Sequence, residues 1–320
     1  MRSAKTVPPS SEDRLSPAER VTRQIKAALE RGVRPWVKPW SETGAAPLVL
    51  PRRANGVAYR GVNVLALWAA AVEASYASPF WFTFKQCTLL KSSVRKGERG
   101  SPVLFYKPIA RDEVAAPCPA DGEDGPDGRR ILRGYTVFNA EQISGLPDHF
   151  FPAAPAPALG DADNARLEEL FAKIPATIRY GGDRAFYAPG PDIIQMPPKT
   201  AFPDQSRFWS TQIHEIAHWT KASSRLDRDF GQKRFGDAGY ALEELVAELT
   251  SAFVGAVIGL PADHIEDHAS YIASWLTTLT ASPSAFLTAA AKAQTAADYL
   301  LGMIGAAPSN MAADEGLSSD

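Results

Sequence analysis

Apolar and polar positions divide this chain into two regimes, with short hydrophobic runs broken by turn residues in front and long helical stretches toward the back. Ser16-Pro17-Ala18-Glu19 reads as a capping box with proline at the first helical position, predicting a helix from about Pro17 to Arg31, stopped by Gly32. Arg34-Pro35-Trp36-Val37-Lys38-Pro39-Trp40 carries two prolines, so it reads as an extended segment that alternates aromatics with cations. Asn63 is placed to cap a second helix through about Ser75. Phe80-Trp81-Phe82 reads as a short buried strand, and Thr83 with Gln86 forms another capping box opening a helix to about Ser92. Strands are expected at Pro102 to Lys107 and Ile131 to Phe138. The acidic, Pro/Gly-rich stretch between them, at 121–128, reads as a disordered loop.

Phe151 to Pro157 is proline-rich and marks a semi-rigid linker. Beyond it come a short helix near Arg166 to Lys173 and strands at Ala176 to Tyr180, Ala185 to Tyr187 and Asp192 to Met196. Helical signals then dominate, at about Ser206 to Thr220, Gly239 to Gly259, Ala262 to Leu279 and Pro283 to Ile304. A sheet followed by helices indicates an α+β domain. The expected organisation is a flexible arm (1–15), an α+β first domain (16–150, with a disordered loop at 109–130), a linker (151–160), an α+β second domain (161–305) and a polar tail (306–320).

Length and composition fit this picture. At 320 residues the chain exceeds one ordinary core, and 45% hydrophobic with 22% charged residues is the composition of a packed globular protein. The longest nearly apolar run, Leu249 to Leu260, is too short to span a bilayer, and residues 1–20 lack the hydrophobic stretch of a signal peptide. Two cysteines, Cys87 and Cys118, support neither a disulfide framework nor a cysteine-based zinc site. The expected location is the cytoplasm. Charge changes the picture more: residues 1–110 hold 18 Lys and Arg against 7 Asp and Glu, a net +11, which leaves −13 for the rest. That split suggests a front half that meets a polyanion.

The sharpest chemistry is His214-Glu215-Ile216-Ala217-His218. Two histidines four apart on a helix project from one face and can ligate one Zn2+, while Glu215 lies beside them to draw a proton from water. A catalytic zinc takes three protein ligands, so a third must come from elsewhere. Tyr240 to Glu248 begins a helix that is apolar nearly all round, which predicts burial, and buried carboxylates need partners. Glu244 and Glu248 share a face that continues into the small residues Ser251, Ala252 and Gly255, which would allow close approach to the histidine helix. We assign Glu244 as third ligand and Glu248 as the acceptor orienting a ligating histidine, an assignment in which the two could exchange roles. Glu243 reads as an acid near a helix N-terminus. The strand at Asp192 to Met196 could pair with an extended peptide or be an ordinary edge strand. His264 and His268 read as surface histidines.

Single-strand binders combine cations that track phosphates with aromatic faces for the bases. Arg34, Trp36, Lys38, Trp40, Arg60, Lys85, Arg95, Lys96, Arg99 and Lys107 are the candidate contacts to single-stranded DNA, and no helix-turn-helix or zinc-finger pattern is present. The segments RPWVKPW (34–40), YRGVNVLALW (59–68), WFTFKQ (81–86), VRKGERGSPVLFYK (94–107) and YTVFNAEQISGLP (135–147) resemble the N-terminal domain of the ArdC antirestriction proteins, found also in TraC-type plasmid primases. IHEIAHWT (213–220), SRLDR (224–228), YALEELVAEL (240–249) and SYIASWLTTL (270–279) resemble that family's zincin-like metallopeptidase domain. The resemblance implies a first domain that binds single-stranded DNA, a gluzincin-like zinc peptidase second domain, and protection of incoming plasmid or phage DNA from host restriction. Its protein substrate is not identified by the residues; host restriction machinery is one candidate. A DNA-dependent protease acting on DNA-bound proteins and a nonenzymatic DNA-binding protein with a structural zinc remain open on the sequence alone.

Overall fold

The computed structural model describes residues 15–36, 48–108, 130–151, 161–231, 238–260 and 269–306. The arm, acidic loop, linker and tail expected from the sequence lie outside these residues, apart from Leu15, Arg130, Phe151 and Ala306 at their margins.

The front half opens with α1 (Pro17–Glu30), whose Ser16 and Glu19 form the reciprocal capping box. Then follow β1 (Arg52–Arg53), α2 (Val62–Ala74), β2 (Phe80–Thr83), α3 (Phe84–Leu89), β3 (Ser93–Val94), β4 (Ser101–Pro108), β5 (Arg130–Asn139) and β6 (Ile143–Ser144). Thr83 and Gln86 close the second capping box, at α3, although that helix is shorter than expected. Asn63 does not cap α2. Gly61, at φ 55°, occupies the cap position, while the Asn63 amide bonds both backbone polar groups of Leu104 at 2.8 and 2.7 Å. An edge-strand backbone that would otherwise face away from any partner is thereby satisfied. The main sheet runs β1-β2-β5-β4, with β4 and β5 antiparallel from Ser101↔Val137 to Pro108↔Arg130; β3 and β6 form a separate pair.

The back half contains α4 (Asp161–Phe171), β7 (Thr177–Tyr180), β8 (Phe186–Ala188), β9 (Ile193–Met196), α5 (Gln205–Trp219), α6 (Ala238–Ile258), α7 (Ala269–Ala281) and α8 (Pro283–Ile304). The architecture is α+β with two domains. In the second sheet the order is β7-β9-β8, so β9 is the central strand and is paired on both sides. The edge-strand reading of Asp192 to Met196 is therefore corrected: its backbone groups are already engaged and cannot take up a peptide.

The two halves share one hydrophobic core. Buried residues from Val21 on α1 to Ile304 on α8 form a continuous cluster, and α1 packs on α2, α7 and α8. A second cluster, Phe82, Cys87, Ala140, Ile143, Leu146 and Phe150, lies within the front half. Trp36 links the halves: it is fully buried, its ring lies 5.7 Å from that of Trp275 on α7, and its indole N–H donates to Glu248 Oε1 on α6 at 3.1 Å. No described helix is long and apolar enough to cross a membrane.

Trp36→Ala should destabilise the whole protein by about 3–5 kcal/mol, because it opens a cavity and strips a donor from a buried carboxylate. Denaturant unfolding measures this, and a loss below about 1 kcal/mol would show that Trp36 is not an interdomain anchor.

Candidate metal centre

The centre lies where α5 meets α6. Asp204 caps α5 by accepting from the Arg207 N–H, and the helix buries Phe208, Trp209, Ile213, Ile216 and Trp219. That burial fixes its rotation so that His214 and His218 face α6. Ser251 on α6 donates through Oγ to the Ser210 carbonyl on α5 at 3.1 Å, so a small residue lets the helices approach closely.

Three donors converge there. His214 Nε2 lies 3.1 Å from His218 Nε2 and 3.5 Å from Glu244 Oε2, and His218 Nε2 lies 3.6 Å from Glu244 Oε1. An ion held tetrahedrally at about 2.0–2.1 Å from each donor would separate them by about 3.3–3.4 Å. The donor set thus fits one divalent ion, and His214, His218 and Glu244 are the described group of three such side chains that could hold a metal. Glu215 is 93% buried beside them. Among the described residues its carboxylate has no hydrogen-bond partner, unlike the other acids of this interface.

The acceptor that orients His218 is Glu243, not Glu248 as the sequence suggested. Glu243 Oε1 lies 3.0 Å from His218 Nδ1, which leaves Nε2 for an ion. Arg228 holds the same carboxylate in a fork, with Nε and Nη2 each 2.8 Å from its oxygens, and donates also to Thr220 Oγ1 and the Ala217 carbonyl. The chain after α5 makes this possible. It folds back through Leu226 N–H to Thr220 C=O and Arg228 N–H to Lys221 C=O, while Arg225 stacks over Trp219 and clamps Asp192 with two hydrogen bonds. Glu248 Oε1 instead accepts from Trp36 and pairs with Arg34 at 3.4 Å, one helical turn along α6 from Glu244.

These contacts outweigh desolvation. Burial alone would raise Glu243 and Glu244 and lower His218. Bonds from Arg228 and His218 instead bring Glu243 down to about 2, bonds from both histidines hold Glu244 far below the ordinary carboxylate range, and the two carboxylates lift His218 to about 9.

The expected DNA contacts fare unevenly. Trp36 is buried in the core and Arg34 is paired with Glu248, so neither presents a surface to DNA, a correction whose physical cause is the buried carboxylate that recruits both. Lys38 and Trp40 lie outside the described residues. Arg60 pairs with Asp298 on α8, Arg95 pairs with Glu98, and Lys85, Lys96 and Arg99 are exposed. Lys107 lies on β4 opposite Ile131. His264 and His268 lie outside the described residues. Sequence reasoning missed Arg228 and the role of Glu243. The available signal was the need of a third buried acid for a cation, close to the Arg225 and Arg228 that trail the histidine helix.

The fold and this donor set define a zincin-like metallopeptidase domain joined to an α+β front domain. Residues 165–292 match the model of zincin-like metallopeptidases, and residues 16–138 match that of the N-terminal domain of the anti-restriction factor ArdC. The chain is 42% identical over 283 residues to the uncharacterized protein y4eC of Sinorhizobium fredii, covering 88% of this chain and 90% of that one. It is 36% identical over 296 residues to the DNA primase TraC of Escherichia coli, but spans only 26% of that longer protein. The antirestriction protein ArdC of plasmid R388 superposes with a TM-score of 0.73 in its metal-free crystal structure, at 39% identity over 91% of this chain and 98% of that one. Its Mn(II)-bound structure gives 0.72. The chain belongs to the ArdC antirestriction family.

Metal affinity should rise with pH through the neutral range. With His218 titrating near 9 in the metal-free protein, an ion must displace its proton, so each pH unit below that value costs up to about tenfold. Glu243→Gln should weaken binding a further 10- to 100-fold or so by loosening His218. Calorimetric titration of the stripped protein reads both, and a pH-independent affinity would contradict this geometry.

Proposed function

We propose that this protein is an antirestriction factor that binds single-stranded DNA through its front half and carries a zinc peptidase in its back half, protecting incoming plasmid or phage DNA from host restriction. The observation that carries the reading is the His214, His218, Glu244 cage with an unpartnered Glu215 carboxylate beside it. The ion would be Zn2+, which suits two imidazoles and one carboxylate with a position left open. When bound, it supplies Lewis acidity to a water and to a scissile carbonyl. Glu215 takes the proton from the attacking water and returns it to the leaving amine. His214 and Glu244 would hold their donors toward the ion, and Glu243, fixed by Arg228, keeps the His218 ring in its ligating orientation. The exposed basic turn from Arg95 to Arg99 and the net charge of +11 in residues 1–110 support contact with a polyanion.

A specific contact favours a second reading, in which DNA governs proteolysis of DNA-bound proteins. Arg34 and Trp36, which belong to the front half and precede the basic segment 37–40, close on Glu248, one turn along α6 from Glu244. A ligand that shifts the 34–36 segment would therefore act on the helix bearing the third metal ligand. Stimulation of cleavage by single-stranded DNA would favour this reading over constitutive peptidase activity.

Glu215→Gln should keep metal affinity within about threefold while cutting cleavage of a generic protein substrate at least about 100-fold. Undiminished cleavage by the variant would remove Glu215 from the chemistry. Full antirestriction by a cleavage-dead variant would assign protection to the DNA-binding half alone.

A further inference from the structure

We propose that Phe105 and Tyr135, flanked by Arg53 and Arg133, form the platform on which the bases of single-stranded DNA stack. This rests on the reading that the front half binds single-stranded DNA, and replaces Trp36 as the aromatic contact. Side chains two apart on a strand share a face, and directly paired residues face the same way. The register Phe105↔Arg133 and Val103↔Tyr135 therefore puts Phe105, Arg133 and Tyr135 on one face of the β4–β5 ladder. On that face Val103 and Val137 are buried, but Phe105 is 38% and Tyr135 45% exposed, so the patch starts where the cover ends. On the opposite face α1 comes close at the same level: a Cβ on Gly134 would lie 2.8 Å from Pro17 Cβ.

The two rings are 6.1 Å apart and edge-to-face at 89°, and the Arg53 guanidinium lies 5.4 Å from the centre of the Phe105 ring. Exposed aromatic rings on a rigid strand pair lose little entropy when a base stacks on them, and every base has a π-face, so such a platform tolerates any sequence. Arg133, exposed and directly across from Phe105, together with Arg53 supplies the charge for phosphates. Two rings and the Arg133 guanidinium, with no acidic side chain among the described β4 and β5 residues of this face, match a polyanion bearing unstacked bases. A duplex, whose bases are already stacked, could use only the cations.

The test measures binding of a fluorescent oligothymidine to the full-length protein over a salt series, with an abasic strand of equal length as control. Phe105→Leu combined with Tyr135→Leu keeps apolar bulk on the strands, and an unchanged melting temperature checks the fold. The pair should lose at least about fivefold in affinity, and up to about a hundredfold per ring, without changing the salt slope. The abasic strand should bind wild type and variant equally. Arg133→Gln should instead flatten the log–log salt slope by about 0.7. If wild type binds with a clear salt slope and the leucine pair binds as well as wild type, the platform is overturned and the patch serves another partner. If wild type does not bind single-stranded DNA, the reading beneath the proposal fails first, and the platform with it.

Discussion

The structure depends on how one apolar helix carries three buried carboxylates. Glu243, Glu244 and Glu248 all sit on α6, each less than a tenth exposed, and an uncompensated charge at any of them would cost several kcal/mol. Each is met from outside α6. Arg228 and His218 take Glu243, the two histidines take Glu244, and Arg34 with Trp36 takes Glu248. Compensation of these charges, together with apolar packing, brings α5, the turn after it and the segment following α1 onto α6. The contacts that make the helix tolerable also assemble the metal centre and join the two halves.

This arrangement separates three tasks that one carboxylate could not perform together. Glu244 offers oxygens to an ion. Glu243 is committed to the far nitrogen of His218 and held by a guanidinium fork, so it orients without ligating. Glu248 reaches away from the histidines toward Trp36, giving a direct physical link between the front half and the helix that bears Glu244. Glu215, on α5, is buried, and among the described residues its carboxylate has no hydrogen-bond partner.

Much of this was legible in the sequence where the signal is local. Capping boxes at Ser16 and Thr83 and the terminal proline of α8 located helix starts, because the partners lie within one turn. The histidine pair was legible for the same reason, since a spacing of four on a helix implies a shared face. What failed was non-local. Helical phase puts Glu244 and Glu248 on one face, but the acceptor for a histidine depends on where a neighbouring helix stands along α6. The partners of Glu248 lie more than 200 residues away. Trp36 looked like a sticky surface residue because its segment is polar and proline-broken, and only the buried carboxylate explains its burial. Strand order was equally hidden: nothing in Ile193 to Met196 distinguishes a central from an edge strand when both neighbours are short. Asn63 illustrates the same limit, its amide being drawn from a helix cap to the free edge of β4.

The central claim is that two imidazoles of α5 and one carboxylate of α6 make a single cage for a divalent ion. Metal stoichiometry by inductively coupled plasma mass spectrometry, on wild-type protein and on Glu244→Ala purified side by side without chelator, tests it most directly. The account predicts one zinc per wild-type chain and essentially none in the variant. A folded wild-type protein that takes up no divalent metal, or a Glu244→Ala protein that retains a full equivalent, would contradict it.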